Sequence, residues 1–73
     1  MAEVVLRVRF THGTHMDVTY DEPDADAEEV VEHVFATLAQ DSGVLRATHG
    51  GRLVALFGRG VAAVEVTPRG AVL

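Results

Sequence analysis

The chain is 73 residues long with a net charge of −5, four histidines and no cysteine. That size leaves room for one hydrophobic core and no second domain, so residues 1–73 are read as a single domain with a tail at 68–73. Disulfides and thiolate metal sites are excluded, no apolar run approaches the ~20 residues that cross a bilayer, and the acidic balance argues against a general nucleic-acid binder. A chain this short buries only about 60% of its unfolded surface and often takes a partner subunit to complete its core.

Residues 3–10 alternate, with Val4, Leu6, Val8 and Phe10 on one face and Glu3, Val5, Arg7 and Arg9 on the other. Met16, Val18 and Tyr20 then alternate with His15, Asp17 and Thr19, which predicts a hairpin around His12-Gly13. A two-residue loop would set Phe10 against His15 and so mix polar and apolar faces. An odd-length loop centred on Gly13 instead pairs Phe10 with Met16, Val8 with Val18 and Leu6 with Tyr20, and places Arg9 across from Asp17.

Asp21-Glu22-Pro23-Asp24 breaks the strand, and residues 26–41 carry the 3.6-residue apolar period of a helix through Ala27, Val30, Val31, Val34, Phe35 and Leu38. Asp26 and Glu29 have capping-box spacing, Asp24, Glu28 and Glu29 suit the positive end of the helix dipole, and Gly43 fits a left-handed stop. Polar positions on the helix, His33 among them, are expected to face solvent. Three short strands follow, at 44–48, 52–57 and 61–67, separated by His49-Gly50-Gly51 and Gly58-Arg59-Gly60, with His49 a turn residue suited to an unusual backbone conformation. The expected fold is α+β, a two-layer ββαβββ arrangement with one helix packed on a mainly antiparallel sheet.

Residues 53–57 are apolar without a break, and residues 61–64 nearly so. A strand that is apolar on both faces needs cover on both, and one helix covers one. Either the sheet curls into a partial barrel or the second face meets another copy of the chain. The favoured expectation is self-association as a homodimer through Leu53, Ala55, Phe57, Val61 and Ala63, helped by the apolar tail Ala71-Val72-Leu73. Burying each large apolar side chain contributes about 1.5–3 kcal/mol.

Other groupings carry chemistry less directly. His12 and His15 have H-x-x-H spacing with Asp17 close behind, a weak candidate for a divalent metal. No metal or cofactor is expected, since a hairpin need not turn these side chains together. The two glycine–arginine segments lack the P-loop and dinucleotide patterns and connect strand to strand, so both are read as hairpin turns. Arg46, Arg52 and Arg59, with Arg69, offer an alternative function as a nucleic-acid accessory surface. All six basic residues are arginine and the chain has no Lys, Asn or Ile, a bias that a GC-rich genome explains without reference to function. Eight of the eleven acids lie between residues 17 and 32, and would repel a phosphate backbone over part of the same small surface. With one serine and no cysteine there is no nucleophile–base pattern, and no enzyme activity is expected. The alternation of residues 1–10 is unlike a signal peptide, so a cytoplasmic location without membrane association is expected.

Glu28-Glu29-Val30 opening a helix, Asp41-Ser42-Gly43-Val44-Leu45, Gly51-Arg52 before an apolar strand, and Val61-Ala62-Ala63-Val64-Glu65-Val66 carry a family resemblance. Over about residues 28–66 the chain resembles a family of short actinobacterial conserved proteins of unknown function. The N-terminal hairpin and the Gly58-Arg59-Gly60 turn depart from that pattern. The resemblance implies the strand–helix–strand order and an actinobacterial source, and carries over no activity and no site residue. The function expected is that of a small non-enzymatic domain that self-associates and presents a charged surface to a protein partner.

Overall fold

The computed structural model describes residues 2–68 and has one α-helix packed on a five-stranded antiparallel sheet, an α+β fold. Strands β1 (Ala2–Phe10) and β2 (His15–Glu22) form the hairpin, followed by α1 (Ala27–Leu38), β3 (Val44–His49), β4 (Arg52–Phe57), a 3-10 turn (Gly58–Gly60) and β5 (Val61–Pro68). The sheet order is β4-β3-β2-β1-β5. The proposed tail loses Pro68, which pairs with Val4, and Arg69 and Ala71-Val72-Leu73 lie outside the described residues.

The hairpin has the faces read from alternation but a register two residues away from the expected one. Val8 pairs with Met16, Leu6 with Val18 and Val4 with Tyr20, and Asp17 faces Arg7 rather than Arg9. The cause is Gly13, whose φ is +106°. In a three-residue hairpin the left-handed residue ends the loop instead of occupying its middle. The loop is therefore Thr11-His12-Gly13, closed by the Phe10 N–H on the Thr14 carbonyl at 2.8 Å.

β1 lies inside the sheet, between β2 and β5, so Val4, Leu6 and Val8 are wholly buried. The helix covers this face with Val30, Val34 and Leu38, while Phe35 remains 49% exposed. Its first turn is held by the reciprocal bonds of Asp26 and Glu29: the Glu29 N–H donates to Asp26 Oδ1 at 2.9 Å, and the Asp26 N–H to Glu29 Oε1 at 3.2 Å. Gly43 does not supply a left-handed stop, since positive φ among the described residues is confined to Gly13, Gly50 and Gly51. It is needed for close approach instead: a Cβ there would overlap the Thr37 carbonyl.

β3 and β4 join through Gly50-Gly51, with φ of +57° and +81°, as a two-residue turn that places His49 opposite Arg52. His49 is thus the last ladder residue and not an unusual turn residue. β2 and β3 pair only at Thr19 and Thr48, so the two hairpins are joined at that point and their ladder does not continue to either side of it. β4 and β5, though joined by three residues, occupy opposite edges. In a flat sheet those edges would stand about 19 Å apart, four interstrand spacings. The short link therefore requires the sheet to curl. The corner is pinned by the Gly58 N–H on the Gly43 carbonyl at 2.9 Å and by the Thr11 N–H on the Gly60 carbonyl at 3.0 Å.

Curling settles half of the mismatch seen in the sequence. Val54, Leu56, Val61, Val64 and Val66 all turn inward to the core. On β5 the outward positions are Ala63, Glu65 and Thr67, small or polar, so that strand has no large apolar outer face. On β4 they are Leu53, Ala55 and Phe57, all exposed.

Candidate functional site

Among the described residues, three of the four exposed large apolar side chains stand on the outer face of the β3–β4 hairpin. Leu53 is 72% exposed, Phe57 51% and Val44 47%. Val44 pairs with Phe57 and Thr48 with Leu53, so these side chains stand in two adjacent rows with Ala55 and Arg46 between them. Of the expected association residues, Leu53, Ala55 and Phe57 share this face. Val61 packs against the core instead, and Ala63 lies on the other edge strand, because β4 and β5 do not form a hairpin.

A cleft of about 440 Å³ lies along the same strand, lined by Phe10, Met16, Val54, Leu56, Phe57 and Gly60 among others. Because both inward and outward residues of β4 line it, it opens at that strand's free edge. The sequence did not reveal this cleft, since its walls come from β1, β2, β4 and the 3-10 turn.

The histidine pair is not brought together. His12 stacks on Phe10, centroids 5.6 Å apart, and its Nε2 shares a 2.6 Å hydrogen bond with the Thr14 hydroxyl. His15 sits opposite Arg9 on the outer face. Among the described residues, no group of three or more His, Asp or Glu side chains is arranged to hold a metal. The arginines are dispersed as well: Arg46 lies mid-strand on the outer face, Arg52 beside the Gly50-Gly51 turn, and Arg59 in the 3-10 turn at the far end of β4.

Two polar clusters join elements. On the outer face Arg7 meets Asp17, and His49 Nδ1–H donates to the Asp17 carbonyl at 2.7 Å, tying β3 to β2. The Arg7 hydrogen bond and charge hold the Asp17 carboxyl below its ordinary range, with His15 and His49 adding to the effect. On the helix side, the Tyr20 hydroxyl donates to Glu22 Oε1 at 2.6 Å, His33 Nε2 lies 3.6 Å from the same oxygen, and the Tyr20 and His33 rings stack. His33, expected to face only solvent, thus braces α1 against β2. Partial burial and the bond to Glu22 push the Tyr20 phenol well above its usual range. The usable sequence signal was Tyr20-x-Glu22, two polar-tipped residues on one strand face.

Among the described residues, no helix is long and apolar enough to cross a membrane. No family model, no curated protein and no solved structure matches the chain.

Proposed function

We propose that this protein is a self-associating interaction domain, a homodimer without catalytic activity, that works by presenting its charged surfaces to a protein partner in the cytoplasm. The observation that carries the reading is the cluster of Leu53, Phe57 and Val44 on one outer face. Large contiguous apolar surface on a small domain marks interaction sites, whereas isolated exposed residues do not. The dispersion of Arg46, Arg52 and Arg59 offers no single phosphate-binding stripe, so the nucleic-acid alternative ranks below it. The resemblance over residues 28–66 to short actinobacterial proteins adds no activity to this reading.

Light scattering coupled to size exclusion tests it. The expected mass is twice the 7.8 kDa of the chain. Leu53→Asp should return the protein to a monomer with an unchanged circular dichroism spectrum, because Leu53 contributes little to the core. An apolar association should persist at high salt, where arginine–phosphate binding weakens steeply. A monomer at high micromolar concentration would remove the proposal.

A further inference from the structure

The geometry points to a contact more specific than a shared outer face: antiparallel pairing of β4 with β4 of a second copy about a two-fold axis at Ala55. This inference rests on the self-association proposed above and specifies its mode.

Edge strands offer unpaired backbone groups, and natural proteins guard them with charge, proline or bulges. β5, one edge, is guarded. Arg9 pairs with Ala63 and Phe10 with Val61, leaving Ala62 as an extra, bulged residue, and the strand carries Glu65 and Pro68. β4, the other edge, carries one charge, Arg52 at its first position, and among the described residues no strand pairs with it on that side. Its register with β3 is unbroken from His49↔Arg52 to Val44↔Phe57, and residues 53–57 contain neither charge nor proline.

The backbone identifies which groups are on offer. Across a two-residue turn the flanking residues, here His49 and Arg52, exchange both hydrogen bonds, and the ladder alternates from there. Arg52, Val54 and Leu56 therefore bond to β3, while Leu53, Ala55 and Phe57 direct N–H and C=O to the free edge. Only a register that sets a residue opposite its own copy keeps inward residues facing inward across a two-fold. Centred on Ala55, that register pairs Ala55 with Ala55, Leu53 with Phe57, and Val54 with Leu56 of the second copy. All three outward-directed residues gain partners, and a small residue lies on the axis with large ones on either side.

Apolar surface on both sides of the strand selects this mode over stacking of outer faces. Leu53 and Phe57 are uncovered outside, and the cleft beside Val54 and Leu56 is uncovered inside. A paired strand covers both, whereas face-to-face stacking covers only the outer one.

Amide hydrogen exchange of the full chain, followed residue by residue by NMR from dilute to high micromolar concentration, tests the pairing. The expected result is at least a tenfold slowing at Leu53, Ala55 and Phe57 on concentration, with Val54 and Leu56 unchanged. Ala55→Pro, which removes an outward N–H and spares the β3 ladder, should yield a folded monomer. A dimer whose Leu53, Ala55 and Phe57 amides exchange as fast as in the monomer would overturn the pairing and leave self-association standing. New protection on β5, with masses beyond a dimer, would replace the two-fold by head-to-tail addition and overturn it too. A monomer at every concentration would overturn both readings. Should the proline variant fail to fold, the wild-type exchange data decide alone.

Discussion

Arg7 and Asp17 face each other across β1 and β2, with Nε to Oδ1 at 3.0 Å and Nη2 to Oδ2 at 3.4 Å, on the sheet face opposite the helix. The two-pronged geometry is the favourable one for guanidinium and carboxylate, though both groups are open to water. Since folding lowers the Asp17 pKa, the pair contributes stability above the unfolded value, near 3.8, and loses it as pH falls through the lower folded value. Asp17→Asn should melt slightly below wild type at neutral pH. Melting curves recorded downward from pH 7 should show the gap persisting to about pH 4 and closing below it. A gap that stays constant to pH 2 would assign the loss to something other than the ion pair.

Tyr20 is the single tyrosine of the chain, so its ionisation can be followed by ultraviolet absorbance without overlap. Burial and the Glu22 bond keep it protonated in the fold, and the folded pKa is the raised one. Its contribution to stability is therefore complete below the unfolded value near 10 and declines as pH rises above that. The phenolate signal of native protein should be nearly absent at pH 10.5, appearing there only on addition of urea. Glu22→Gln should move its onset to lower pH. An ordinary midpoint near 10 in the native protein would contradict the Tyr20–Glu22 contact.

Leu6 occupies the centre of β1 with no exposed surface. Leu6→Ala should cost about 2–5 kcal/mol, a large share of what a domain of this size possesses. Urea denaturation should show the midpoint falling with little change in slope. A loss below about 1 kcal/mol would mean the core collapses around the gap.

Gly43 and Gly58 allow the link from helix to β3 and the β4–β5 corner to touch the end of α1. A Cβ on Gly43 would overlap the Thr37 carbonyl, and one on Gly58 the Gln40 carbonyl, whereas Gly60 has open space around it and no positive φ. Gly43→Ala and Gly58→Ala should each destabilise by about 1–3 kcal/mol or more, while Gly60→Ala should be nearly neutral. Thermal melting of the three variants side by side checks the ranking.

The elements and their faces were legible because Val4, Leu6, Val8, Val30, Val34 and Leu38 follow the periods of strand and helix, and because Asp26 and Glu29 have capping spacing. Register and order were not. Both glycine readings that failed, at Gly13 and Gly43, assigned the right residue the wrong duty, since composition does not distinguish a loop's centre from its end or a left-handed residue from a close approach. The placement of β4 and β5 on opposite edges follows from β5 pairing with β1 instead of β4, a long-range contact with no local pattern. The candidate face survived in part: Leu53, Ala55 and Phe57 share a surface because alternation within one strand is local, while Val61 and Ala63 were joined to them only by the assumption of a hairpin.

The β1–β5 ladder, which sets Val4 beside Pro68, has a kinetic consequence. Hairpins β1–β2 and β3–β4 need only short loops and can form early, but the inner strand acquires its second neighbour only after nearly the whole described chain has been gathered in. Such distant pairing raises contact order and slows folding. Refolding should thus be slow for so small a protein, with β4 exposed throughout the wait and open to capture by other nascent copies.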